Sequence, residues 1–252
     1  MDSAVLLIFL VGAFAAAFVT GLAGFAFGVV AAAIWLHALP PVETTTLIVA
    51  YALLVQGYAV WRLRRALRVD RLWPLVLGSA LGIPAGGALL QLTSPSQLRV
   101  AVGMLLILFA LYNLWRPKLP EIKQAGRLAD ATVGLLNGAL GAATGLGGIL
   151  PAIWCGLQGW SRDEQRAVFQ PTAVATFMMT ILWFGGTGII TADAMRLFAV
   201  GLPALMLGTA LGWAFYGRLN EASFRNIVLI LVLISGILLV GARKLPYPGG
   251  AG

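Results

Sequence analysis

Apolar residues run along this chain in long, nearly unbroken blocks, and polar residues collect in the short gaps between them. Breaks at charges, glycine and proline divide the chain into apolar blocks at 3–39, 44–61, 71–91, 98–115, 129–158, 166–185, 194–216 and 223–242. A bilayer core takes about 20 apolar residues per helix, so six of these blocks predict ordinary single spans. The runs lack the alternation that a lipid-facing strand requires, which points to helices and away from a barrel. The blocks 3–39 and 129–158 differ. Both are overlong and interrupted by glycine, and they end at Pro40–Pro41 and Gly159–Trp160.

Glycine weakens helices, yet Gly134, Gly138, Gly141, Gly145, Gly147 and Gly148 all fall in the second long block. The expectation is a helix that stops and restarts within the membrane around 138–148. The two long blocks also correspond in sequence. "GFAFGVVAAAIWLHAL" (24–39) aligns with "ATGLGGILPAIWCGLQ" (143–158), setting Trp35 on Trp154 and Gly28 on Gly147. "GSALG" (78–82) matches "GTALG" (208–212), and the segment 96–114 matches 223–240, with Arg99 on Arg225. The matches keep their order, which predicts a duplicated unit of roughly 115–120 residues.

Charge decides the sense of the repeat. Arg62, Arg64, Arg65, Arg68 and Arg71 surround one short loop, which the positive-inside rule places in the cytoplasm. Arg116, Lys118, Lys123 and Arg127 follow two spans later on the same side. If 129–158 is a hairpin, Arg162, Arg166, Arg218 and Arg225 also fall inside, and Arg243 and Lys244 outside. A single span reverses that, so the bias favours the hairpin. Each half then holds five elements, and an odd number inverts one half relative to the other. The predicted fold is an all-α integral membrane protein of two homologous, inverted repeats. They occupy 1–116 and 129–252, joined by a cytoplasmic linker at 117–128. Each is a glycine-broken helical hairpin followed by three transmembrane helices, a recurrent transporter plan.

Composition agrees. The chain is 60% hydrophobic and 10% charged, against roughly 25% charged in soluble domains. A net charge of +8 would suggest nucleic acid for a soluble protein; here the basic residues lie in loops and set orientation, so no nucleic-acid partner is expected. Asp2 and the lack of Lys or Arg before the first apolar run argue for a retained first helix over a signal peptide. Cys155 and His37 are each the only residue of their type, so neither a disulfide, a metal cluster nor a cofactor is expected. No HExxH, GxSxG or phosphate-loop motif appears, and no catalytic residue is assigned.

All nine Asp and Glu fall in loops or at helix ends, leaving no buried carboxylate to carry a coupling proton or sodium ion. Small polar residues and glycine remain at depth. The first half offers Thr20, Gly21, Gly24 and Gly28, with Thr44, Thr45, Thr46, Tyr51 and Gln56 in the next span. The second offers Asn137, Thr144, Gly145, Gly147 and Gly148, then Gln170, Thr172 and Thr176. A restarted helix presents free N–H groups and a positive dipole end, which bind an anion without a fixed cation. Glycine lets the anion approach the backbone. The competing reading for such glycines is close helix packing, and it is the better one for Gly78–Gly82, Gly82–Gly86 and Gly208–Gly212. Ser161 with Asp163 and Glu164 reads as a helix N-cap. Arg162 and Arg166 either attract an anion from the cytoplasm or only set orientation. Pro171, between Gln170 and Thr172, predicts a kink that turns polar groups toward substrate.

With these residues in view, the chain resembles the TauE/SafE family of sulfite and organosulfonate permeases. "GLAGFAFGVV" (21–30), "GALGAATGLGGILPAIWCGLQGWSRDEQRAVFQPTAVATF" (138–177) and the two-copy layout carry the resemblance. It implies transport of small sulfur-containing or carboxylate anions across the cytoplasmic membrane, as a multi-pass protein of the bacterial inner membrane. Partners are then a small anionic substrate and membrane lipid, with a homodimer open. An inside-negative potential drives each negative charge outward with about 2.3 kcal/mol per 100 mV, so export needs no coupling ion. The expectation is an exporter, with an anion channel or a proton-coupled uptake permease as alternatives. The fuller glycine run in the second copy predicts an asymmetric site, dominated by that copy.

Overall fold

The computed structural model describes residues 2–23, 26–63, 69–115, 122, 126–215 and 221–241. Among them are ten helices and no strand: α1 (Ser3–Ala23), α2 (Phe27–Trp35), α3 (Pro41–Leu63), α4 (Val69–Leu92), α5 (Pro95–Trp115), α6 (Arg127–Thr144), α7 (Ile149–Leu157), α8 (Arg162–Thr187), α9 (Ala192–Phe215) and α10 (Glu221–Gly241). Six carry a stretch long and apolar enough to cross a bilayer: α1, α4, α5, α8, α9 and α10. The α8 start is capped as its sequence predicts. Ser161 Oγ accepts from Glu164 N at 3.4 Å, and the Glu164 carboxylate accepts from Ser161 N at 3.0 Å.

The two overlong blocks are hairpins. In the first, the chain leaves α1 and restarts as α2 after Ala26, which sits in the left-handed region at φ 80. Were α2 a continuation of α1, Phe9 and Trp35 would stand about 39 Å apart. Instead Trp35 Nε1 donates to the Phe9 carbonyl at 3.0 Å. In the second, α6 ends at Gly145 (φ 76) and α7 begins after Gly148 (φ 100). Here Trp154 Nε1 donates to Asp130 Oδ1 at 2.7 Å, across 24 residues. The short arms α2 and α7 have nine residues each, about 13.5 Å of helix and under half a hydrocarbon core.

The helices fall into two compact units. The first comprises Met1–Thr44, Thr93–Pro117 and Arg196–Gly252. In it α1 lies against α9, where a Cβ on Gly21 would come within 3.0 Å of the Gly212 Cα. The helices α5 and α10 meet through Gly103 and Gly236. Phe9, Phe27 and Trp35 form a fully buried aromatic cluster. Past α2, His37 Nε2 and Ser235 Oγ lie 2.9 Å apart, and Ser235 Oγ donates to the Ala33 carbonyl, tying the end of α2 to α10.

The second unit comprises Thr45–Leu92 and Lys118–Met195. Its spine is the pair α4 and α6. A Cβ on Gly78, Gly82 or Gly86 would overlap the carbonyl oxygen of Ala131, Leu135 or Ala139, and one on Gly134 or Gly138 would overlap that of Leu75 or Ser79. Glycines from both helices thus interleave at four-residue spacing, and the backbones touch. Van der Waals contact of this kind holds helices together where lipid offers no hydrophobic drive. The packing reading of Gly78, Gly82 and Gly86 is the right one. It extends to Gly134 and Gly138, so the break is narrower than the 138–148 expected: α6 runs helical through Thr144.

Gly82→Ala therefore lowers the unfolding free energy in detergent by about 2 kcal/mol or more, since neither backbone can yield. Gly57→Ala, on α3 with nothing within 4 Å, leaves stability unchanged or raises it by up to about 1 kcal/mol. Thermal unfolding of the two variants side by side measures the contrast.

Candidate functional site

The break between α6 and α7 is built from backbone conformations that only glycine adopts readily. Gly145 and Gly148 both have positive φ. A Cβ would also meet Ile48 Cγ2 at 2.7 Å from Gly145 and Ala173 Cβ at 2.9 Å from Gly148. Between them, a Cβ on Gly147 would lie 3.0 Å from the Phe177 ring. Thr144 closes the end of α6: its Oγ1 donates to the Leu140 carbonyl at 2.7 Å and accepts from Leu146 N at 3.2 Å.

Asn137 fastens this break. It is fully buried on α6, and its Oδ1 accepts the Gly148 N–H at 2.7 Å. Its Nδ2 donates to Ser79 Oγ at 3.3 Å and to Thr176 Oγ1 at 3.1 Å. The directions are forced. A hydroxyl has one hydrogen, and Ser79 gives its own to the Gly134 carbonyl at 3.1 Å, Thr176 to the Thr172 carbonyl at 2.8 Å. Each must then accept from Asn137, which leaves the amide oxygen facing Gly148. One side chain so joins α4, α6, α7 and α8, with three of its four hydrogen-bonding positions filled.

On α8 the buried face carries Thr172, Thr176 and Thr180, each fully buried and one turn apart. Thr172 Oγ1 donates back to the Val168 carbonyl at 2.8 Å, as threonine does inside a helix. Thr180 Oγ1 is buried without a hydrogen-bond partner. Gln170 is 6% exposed on the same helix. At the far end of the hairpin, Cys155, Leu75 and Val168 pack with Trp154 and Trp160, and the Arg71 guanidinium lies 4.4 Å from the Trp160 ring centre.

The restart of α7 leaves donors exposed within the fold. Gly148 N–H is taken by Asn137, Ala152 N–H bonds the Gly148 carbonyl, and Pro151 has none. No acceptor for the N–H groups of Gly147, Ile149 and Leu150 occurs among the described residues. Three donors within four residues at the positive end of a helix can hold an oxyanion.

The other residues singled out from the sequence are placed as follows. Asn137, Thr144, Gly145, Gly147 and Gly148 come together at the α6–α7 break, and Thr172 stands one turn from the Thr176 that Asn137 bonds. Thr20, Gly21 and Gly28 belong to the first unit. There Thr20 is buried with Oγ1 bonded to the Ala16 carbonyl at 2.7 Å, Gly21 packs on α9, and Gly28 is half-buried at the start of α2. Gly24 and the Arg162 side chain lie outside the described residues. Arg166 is exposed on α8. Sequence reasoning passed over Ser79. It stands in a glycine stripe that reads as packing, and only its being polar among small residues could have marked it.

Spanning-length helices, two hairpins with short inner arms and a buried polar clasp define a polytopic helical membrane protein. The chain belongs to the sulfite exporter TauE/SafE family, whose family model matches residues 8–239. This is a family of membrane transporters, so the chain is a multi-pass membrane transporter of sulfite-exporter type and not an enzyme. No curated protein and no solved structure matches it.

Removing the clasp has a defined cost. Asn137→Leu keeps the branched shape but strands the buried Gly148 N–H, lowering stability by about 1–3 kcal/mol. Asn137→Asp keeps the acceptor but sets a carboxylate against two hydroxyls whose protons are committed. Both variants therefore lose stability, the second because its buried charge has no further donor to meet it. Thermal unfolding in detergent reads both effects.

Proposed function

We propose that the chain is a secondary transporter that exports a small oxyanion, such as sulfite, a sulfonate or a sulfo-carboxylate, across the bacterial inner membrane. The observation that carries this reading is the restart of α7, where the N–H groups of Gly147, Ile149 and Leu150 lack acceptors. Thr144, Gln170, Thr172 and the unpaired hydroxyl of Thr180 supply polar surroundings. Asn137 acts as a positioning residue: its amide is spent on protein groups and sets the shape of the break. Arg162 and Arg166 gather anions on the cytoplasmic side.

The reading includes two inverted repeats, 1–116 and 129–252, flanking a cytoplasmic linker at 117–128. Several features support it. Ala26 and Gly145, paired by the alignment that sets Trp35 on Trp154, are both left-handed. Each of those tryptophans reaches back to the first arm of its own hairpin. Three long helices follow each hairpin. The Ala26 break counterparts the α6–α7 break at a site with fewer glycines, which fits one dominant binding position.

Counterflow in proteoliposomes tests the transport mode. An inside-negative potential accelerates sulfite efflux without any imposed proton gradient; accumulation that requires a proton gradient would sink the exporter reading. Gly147→Leu, which drives a side chain toward Phe177 and over the free N–H groups, lowers transport at least about ten-fold, equivalent to about 1.4 kcal/mol, while the folded protein is retained. Unaltered transport in that variant rules out the backbone site.

A further inference from the structure

In the second unit an apolar cluster stands between the free donors of the break and the arginine-bearing end of the helices. Cys155 is six residues beyond Ile149, about 9 Å along α7. At that level Leu75 of α4, Cys155 of α7 and Val168 of α8 are buried, and Val133 of α6, Trp154 and Trp160 pack against them. Asn137 joins the same four helices at the break. The helix ends beyond the cluster are the starts of α4, α6 and α8 and the end of α7, and Arg71 and Arg127 stand there. The positive-inside rule places that end in the cytoplasm. An anion leaving the cytoplasm for the donors of Gly147, Ile149 and Leu150 has to pass it.

The α7 arm is fastened at this end by contacts that can be broken singly. Trp154 Nε1 donates to the Asp130 carboxylate at 2.7 Å, the Arg71 guanidinium lies 4.4 Å from the Trp160 ring centre, and Ile122 N–H donates to the Leu157 carbonyl at 2.7 Å. Glycines with positive φ flank the arm, Gly145 and Gly148 before it and Gly159 after it. A few such backbone positions are enough to turn a lid. Arg71 Nη1 is buried and has no hydrogen-bond partner among the described residues. A charged donor left so costs free energy, which the shut arrangement carries and an opened, hydrated one does not. Tryptophans that only anchor a span turn to the headgroups. Trp154 and Trp160 pack instead on Cys155 and its neighbours.

We propose that α7, with Trp154 and Trp160, is the cytoplasmic gate of the second unit, latched by Asp130 and Arg71. While the latch is made, the donors at the start of α7 are sealed from the cytoplasm. Breaking it lets the arm swing on its glycines and opens the way past Cys155. The gate rests on the oxyanion reading for what it admits, and on the contacts of the arm for how it closes.

Cys155 is the only cysteine of the chain and is fully buried in the cluster, so thiol labelling reads the gate without an added reporter. Inside-out and right-side-out vesicles holding the full-length protein are treated with a membrane-impermeant maleimide, and modification of Cys155 is followed by mass spectrometry. The wild type labels slowly from either face. Trp154→Phe keeps a ring and loses the donor to Asp130. It speeds labelling from the cytoplasmic face about ten-fold, the shift that loss of one hydrogen bond to a charged group gives, and leaves the outer face unchanged. Trp160→Ala, which uncovers Arg71, acts in the same direction, while Asp130→Asn, which keeps an acceptor for the indole, stays near the wild-type rate. Cooperative thermal unfolding shows that each variant is folded. Labelling at the wild-type rate in both tryptophan variants overturns the gate, as does a rise from the outer face. Methanesulfonate counterflow in the same vesicles separates the two readings. Counterflow with unchanged labelling removes the gate and leaves the oxyanion reading. Faster one-sided labelling, with counterflow of neither methanesulfonate nor sulfite, supports the gate and removes the oxyanion reading.

Discussion

A helix that stops inside a membrane must find partners for the backbone groups it frees, because lipid offers none. In the second unit that requirement converges on the amide of Asn137. It accepts the Gly148 N–H where the chain restarts, and it is held by hydroxyls from two further helices whose own protons are already given to carbonyls. The amide thereby satisfies the Gly148 donor and leaves those of Gly147, Ile149 and Leu150 available. A break with every donor satisfied would bind nothing, and one with none satisfied would be too costly to bury.

Glycine serves two different ends within a few turns of this amide. At Gly134 and Gly138 it removes side chains so that α6 can lie directly on the backbone of α4. That contact brings Ser79 within reach of Asn137. At Gly145 and Gly148 it permits the left-handed backbone that ends one helix and starts the next. The first unit makes its own break with Ala26 in the left-handed region, a conformation that costs a non-glycine residue roughly 1–2 kcal/mol. Packing around that point has to hold it in place, and the aromatic cluster of Phe9, Phe27 and Trp35 stands on the same two helices.

Much of this was legible from the residues. The apolar blocks mark where the helices run, because the length of a span is set by the bilayer. The overlong blocks at 3–39 and 129–158 each become two helices, and the capping pattern at Ser161–Glu164 forms as written. What pattern could not separate was the role of each glycine: packing and breaking leave the same residue at the same four-residue spacing. Ser79 was invisible for the same reason, since its partner lies 58 residues away on another helix.

The sequence by itself determined an all-helical membrane protein, the position of its spans and the neighbourhood of its breaks, because these follow from local hydropathy and from what glycine permits. Tertiary structure decided that the long blocks fold back as hairpins, and that Asn137 is occupied by protein groups. It also decided which N–H groups remain without acceptors. Those outcomes depend on which carbonyls, hydroxyls and rings meet across helices distant in the chain, and hydrogen-bond satisfaction is a property of the packed arrangement alone.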